Sequence, residues 1–232
     1  MLKTALHDTW VFFKRHYVAL ALIILPIVIP IDLFHALYNS MLASDTFVLS
    51  EQALPLIVAF AAYPVYAVAV VFYIHGVIHG EPKDTRTLWQ LGLKYWVPFA
   101  VLSAILGAAV VAGLILMVIP AIIVAIKYAF AEFDLLLDGD KPLDALKNSW
   151  GQTAGYFWIL LGGFALISLA IYTPYYIIGS LVIGHEPLYT LVSTVLSMAF
   201  SVLSSLYTIF AFRIYDFARQ AQAPATTLED DI

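Results

Sequence analysis

At 232 residues, 62% of them hydrophobic and only 12% charged, the chain carries more apolar side chains than a soluble domain of its size can bury. The absence of cysteine excludes disulfides, cysteine-ligated zinc, iron–sulfur clusters and thiol catalysis. A net charge of −5, divided along the chain, leaves no broad basic surface for nucleic acid.

A span needs about 20 mostly apolar residues to cross roughly 30 Å of hydrocarbon. On that basis the chain reads as an all-α, single-domain, polytopic membrane protein of six spans over residues 1–219. In residues 2–15, Leu2, Leu6, Trp10, Phe13 and Tyr17 recur at helical intervals, which predicts an interfacial amphipathic helix. The first span covers 17–38. Lys14 and Arg15 precede it as they would a signal peptide, but it is longer than an h-region, contains Pro26, Pro30 and Asp32, and lacks a small-residue cleavage pattern. It is therefore expected to be retained.

The second span is 54–79, with Pro64 inside and His75 and His79 at its end. Thr85 as N-cap with Leu88, Leu91 and Tyr95 predicts a second interfacial helix over 85–95. Spans 97–117 and 119–137 are separated only by the turn around Val118 to Pro120, a tight hairpin, and Pro120 suits the first turn of the following helix. The third interfacial helix, 142–154, places Pro142 at N1 and Leu143, Leu146 and Trp150 on one face. Spans 156–182 and 188–212 follow, the fifth made easier to kink by Gly162, Gly163 and Pro174. The segment 220–232, with Pro224 and Glu229, Asp230 and Asp231, is expected to be a flexible acidic tail.

The three outward turns carry Asp45, Glu51 and Glu186 and no basic residue, while every Lys and Arg outside the spans falls on the other side. Positive charge flanking spans stays cytoplasmic, so both termini are expected inside. Trp10 to Tyr17, Trp89 to Trp96 and Trp150 to Phe157 share one spacing, and Pro82/Asp84 and Pro142/Asp144 match at a fixed offset. This pattern predicts three pseudo-repeats, each an interfacial helix followed by a hairpin. The preference of aromatic rings for the headgroup level accounts for the tryptophan spacing without a repeat, and makes Trp10, Trp89, Trp96, Trp150 and Trp158 interface anchors.

Asp32, Lys127, Glu132 and Asp134 bring carboxylate and amine groups into the spans. Each costs roughly 2.5–3.5 kcal/mol to insert, which makes them ligand or head-group candidates. By helical rise, Asp32 lies about 8 Å and Lys127 about 12 Å below the outer boundary, close enough to pair between helices. Glu132 and Asp134 lie near the inner boundary, within reach of water. Two readings stand: a packing pair with snorkelling acids, or a polar pathway or head-group site.

His75 and His79 at i, i+4 are weak metal-ligand candidates without a third ligand in sequence; His7, Asp8 and His16 would have to join through folding. His35 and His185 lie near the outer boundary. Ser193, Ser197, Ser201, Ser204, Ser205 and Thr208 line span six at helical intervals, a pattern for close helix packing rather than hydroxyl catalysis. No nucleotide loop, metal motif or triad appears, so no cofactor and no enzyme activity are expected.

Four stretches, VFFKRHY at 11–17, VIPAIIVAI at 118–126, PLDALKNSWGQTAGYFW at 142–158 and FRIYDFARQ at 212–220, resemble the YciC-like family of bacterial inner-membrane proteins. Ala145, Ser149 and Thr153 match its cytoplasmic-helix pattern, and Phe212, Arg213 and Tyr215 match its closing aromatic–basic–x–Tyr segment. Ala121, Glu132 and Lys127 depart from it. The resemblance implies an inner-membrane location and a six-span fold, and carries no catalytic residues. The expected function is binding or moving a lipid or other amphiphile, with membrane lipids as partners. The alternatives are a scaffold for an envelope complex and an ion- or solute-conducting protein.

Overall fold

In the computed structural model, residues 1–41, 49–181 and 186–222 are described. The turn residues Asp45 and His185, the side chains of Glu51 and Glu186, and tail residues 223–232 lie outside that set. Ten α-helices are present among the described residues, and no strand: α1 (Leu2–Met41), α2 (Leu49–Ile78), α3 (Thr85–Lys94), α4 (Trp96–Leu116), α5 (Val118–Lys127), α6 (Ala131–Phe133), α7 (Pro142–Gln152), α8 (Phe157–Leu181), α9 (Glu186–Leu203) and α10 (Ser205–Gln222). Five helical stretches are long and apolar enough to cross a membrane: Leu2–Tyr38, Ala53–Ile78, Trp96–Leu116, Pro142–Leu181 and Val192–Ala221. The chain has the character of a multi-pass, all-α membrane protein.

Four sequence expectations are corrected here. The interfacial helix expected over 2–15 is not separate; it runs without a break into the first apolar segment as the 40-residue α1. Nothing between Leu2 and Leu25 stops a helix, and Pro26 and Pro30 are carried inside it. The second correction concerns the cap of α3. Asp84, not Thr85, is its N-cap: Oδ2 accepts the Thr87 N–H at 3.2 Å and Oδ1 the Thr87 hydroxyl at 2.6 Å. A carboxylate at this position also meets the positive end of the helix dipole.

The third correction falls on the predicted fourth span. Instead of one helix over 119–137, α5 stops at Lys127 after ten residues, about 15 Å of rise. A tight turn leads to the single turn of α6 and then to a π-helical turn, Asp134–Asp138. Gly139, at φ +76°, closes that turn in the left-handed region a glycine enters without penalty. The sixth predicted span is likewise two helices, α9 and α10, parted at Ser204. There Ser201, Ser204 and Ser205 each donate to a carbonyl three or four residues back, at 2.7–2.9 Å. Such back-bonding bends helices. Three members of the serine stripe are thus spent on their own backbone, while Ser197 reaches Asp32 of α1.

Large apolar side chains are buried at one end of the bundle, where the short helices α3, α6 and α7 add a further layer. Leu20 and Ile23 of α1, Ile74 of α2, Leu88 of α3, Phe133 of α6, Leu160 of α8 and Phe210 and Phe212 of α10 are fully enclosed there. At the other end, Ile115, Met117 and Leu181 are at least 70% exposed, which suits contact with hydrocarbon rather than water. The α4–α5 pair is very close: a Cβ on Gly113 would lie 2.8 Å from the Ala121 backbone. Gly163 lets α8 meet α10, since an added Cβ would overlap the Phe210 ring. Pro174 does not break α8, which runs unbroken from Phe157 to Leu181.

Candidate functional site

The break after Lys127 organises the site. Ending a helix inside an apolar bundle leaves backbone groups that must find partners. Here α7 supplies them. The Ser149 hydroxyl donates to the Lys127 carbonyl at 2.8 Å and accepts the Phe130 N–H at 3.1 Å. The Thr153 hydroxyl also reaches the Lys127 carbonyl, at 3.1 Å. Both hydroxyl residues are fully buried, one helical turn apart on the same face of the α7 segment. In the sequence they stood out only as a family-like pattern; the i, i+4 hydroxyl spacing was the available signal.

Lys127 itself turns away from Asp32, so the expected pair does not form. Its Nζ lies 3.3 Å from the Trp150 carbonyl and 5.4 Å from the centre of the Trp150 ring. As the last residue of α5, Lys127 sits beside the carbonyl end of α7, where a cation is favoured by both helix dipoles and the indole face. Asp32 is held by α9 instead, its carboxylate accepting the Ser197 hydroxyl at 2.6 Å.

Asp134 does not reach water. It is fully buried, and its two carboxylate oxygens lie 3.2 and 3.3 Å from the Gln152 amide nitrogen, which donates to them. Next to it, Tyr215 donates to Asp138 at 3.2 Å and accepts from Arg219 at 2.9 Å, while Arg219 also pairs with Asp138. These contacts tie the π-helical turn to α10.

Glu132 has different surroundings. It lines a cavity of about 230 Å³ between α2, α4, α8 and α10, with Tyr63, Phe99, Tyr128, Phe164 and Tyr207 among its walls. Neither a hydrogen bond nor an ion pair to a described residue reaches its carboxylate. The tyrosines and phenylalanines were missed in the sequence because they come from five separate segments. A carboxylate among aromatic rings can hold a positively charged group: the ring faces attract it and the carboxylate neutralises it.

The remaining candidates are dispersed. His75 and His79 stack at 4.1 Å, and His79 Nδ1 lies 2.9 Å from the His75 carbonyl. Among the described residues no three His, Cys, Asp or Glu side chains are arranged to hold a metal ion. His16 Nδ1 meets the Tyr73 hydroxyl at 2.9 Å, His35 Nε2 the Pro55 carbonyl at 3.1 Å, and His7 lies 3.7 Å from Asp8.

The five tryptophans divide. Trp10, Trp150 and Trp158 are exposed, as an interface anchor requires. Trp89 and Trp96 donate their indole N–H groups to the carbonyls of Ile23, at 3.1 Å, and Ala61, at 2.6 Å. Each acceptor lies three residues before a proline, Pro26 or Pro64, where the missing N–H loosens the helix and a side-chain donor can enter.

Comparison of the chain with protein-family models, with curated proteins and with solved structures gives no match.

Proposed function

We propose that the protein binds, and by extension moves, a lipid or other amphiphile in the bacterial inner membrane, with the α3/α7 end and both termini in the cytoplasm. The carrying observation is the Glu132 cavity: an acid with no hydrogen bond to a described residue, in a space walled by aromatic rings. Ser103 enters that cavity from α4, seven residues after Trp96, and Phe164 from α8, seven after Phe157. At helical rise both lie about 10 Å inside the starts of those helices, within reach of a head group drawn down from the interface. The acid favours a head group bearing an ammonium, such as an amino-phospholipid, over a purely anionic one. Lys127, engaged with Trp150, supports no anion site.

The topology proposed with it counts the stretch from Val118 to Asp138 as a broken fourth crossing, about 30 Å of chain at helical rise. Irregular backbone at membrane depth is tolerated where protein buries it, as α7 does here. The six-span count, the three-hairpin repeat and the YciC-like resemblance belong to this same reading, and nothing in it calls for enzymatic chemistry.

The test is native mass spectrometry of protein purified from membranes, with reconstitution in nanodiscs. Wild type should retain phosphatidylethanolamine in preference to phosphatidylglycerol, and Glu132→Gln should lose that preference with little change in folding. Phosphatidylethanolamine retention that Glu132→Gln leaves unchanged would remove the proposal. A flux of small ions that depends on Glu132 in liposomes would favour a conducting protein in its place.

A further inference from the structure

We infer that Arg213 and Arg15 form a second binding site, for a phosphate-bearing anion, in the crevice between α1, the end of α2 and α10. Arg213 is unusual among the chain's cations. Its Nε is buried with no hydrogen-bond partner, the one such side-chain atom among the described residues. Four other cations are engaged. Arg219 pairs with Asp138, Lys127 meets Trp150, Lys14 lies 5.6 Å over the Trp10 ring, and Lys94 lies 5.2 Å over Tyr95.

Arg213 lines two neighbouring crevices. One, of about 280 Å³, also holds Arg15, His16, Asp8, Val77 and Ile78. The other, of about 540 Å³, adds Thr4, Asp216 and Gln220. Asp8 and Asp216 also line these crevices, but among the described residues neither pairs with an arginine: Asp8 lies 3.7 Å from His7, and Asp216 accepts from Gln220 at 3.0 Å. A buried donor without an acceptor is a standing cost to the fold, and an oxyanion in the crevice would remove it.

The position fits a head group. Hydropathy places the inner boundary of the first apolar segment at Tyr17, of the second at His79 and of the last at Phe212. Arg15 and His16, Val77 and Ile78, and Arg213 are each within two residues of one of those limits. The helices α1 and α10 therefore bring the two guanidinium groups to the level where phosphates of the bilayer lie, beside the apolar side chains Val77 and Ile78 of α2 that would face acyl chains. Basic pockets between spans are the usual recognition mode for anionic lipid. The shared chemistry is a phosphate oxyanion, from an anionic phospholipid or from free phosphate. Arg213 stands in the closing aromatic–basic segment already noted in the sequence, a segment to which the Glu132 cavity assigns no role for its cation.

The test is thermal unfolding of the full-length protein. In nanodiscs containing phosphatidylglycerol, wild type should melt about 2–4 °C higher than in phosphatidylcholine alone. Arg213→Gln should lose that increment, and Arg15→Gln, altered at an exposed position, should lose part of it while folding normally. In detergent, inorganic phosphate compared with chloride at equal ionic strength tests the soluble source. A phosphate-specific rise lost in both variants, without a lipid effect, would keep the site and assign it to free phosphate. Increments that are absent in wild type with both probes, or unchanged in both variants, would overturn the site.

Discussion

The Ser149 hydroxyl links both sides of a helix break, giving its proton to the carbonyl of Lys127 and taking the N–H of Phe130. Removing it leaves the buried Phe130 N–H without an acceptor, which costs about 1–3 kcal/mol. Ser149→Ala should therefore lower the melting temperature measurably. Thr153→Val should cost less, because the Lys127 carbonyl keeps Ser149. If the two variants melt alike, the hydroxyl bridge is not what secures the break.

Lys127 and Asp32 belong to different neighbourhoods, one on Trp150 and the other on Ser197. Their substitutions should add to within about 0.5 kcal/mol in a double-mutant cycle of Lys127→Met and Asp32→Asn. The Asp32–Ser197 cycle should show coupling. A strong non-additive term between Lys127 and Asp32 would restore the direct pair that the hydropathy arithmetic allows.

Gly163 is required by the α8–α10 approach. Gly163→Ala pushes a methyl into the Phe210 ring, and overpacking of this kind costs about 1–3 kcal/mol. Adding Phe210→Leu should recover part of the loss, since a smaller side chain frees the space. Gly107, where a Cβ meets nothing within 4 Å, is the control: Gly107→Ala should be neutral or slightly stabilising. Unfolding in detergent reads all three.

Asp84 supplies the pH prediction. Its hydrogen bonds from Thr87 hold its carboxyl below the usual carboxylate range. A depressed folded pKa means that the capping contribution is complete above the unfolded value, near pH 4, and is lost as pH falls through the lower folded value. Hydrogen exchange at the Thr87 amide should therefore quicken, after correction for intrinsic rate, only at acid pH. In Asp84→Asn that acid-dependent component should vanish, and its persistence would place the titrating group elsewhere.

Much of the fold could be read from residue order. Hydropathy located α2, α4 and α8 to within a few residues, because long apolar runs are needed wherever hydrocarbon replaces water. It also located the short α3 and α7, whose Leu88 and Trp150 stand on amphipathic stripes. It failed at Lys127 and Ser204. Both breaks lie inside sequences as apolar as an unbroken helix, and whether a backbone group may be left free depends on what another segment brings to it.

Composition and periodicity alone determined that this chain is helical, membrane-directed and built from long apolar segments, since those properties follow from local hydropathy and hydrogen bonding within a helix. Only the tertiary structure decided which ionisable groups are satisfied. Lys127 found a carbonyl and an indole, Asp134 an amide and Asp32 a hydroxyl, whereas among the described residues the Glu132 carboxylate and the Arg213 Nε meet no hydrogen-bond partner. Partners of buried polar groups come from residues distant in sequence, 165 positions apart for Asp32 and Ser197, and no local pattern specifies that encounter.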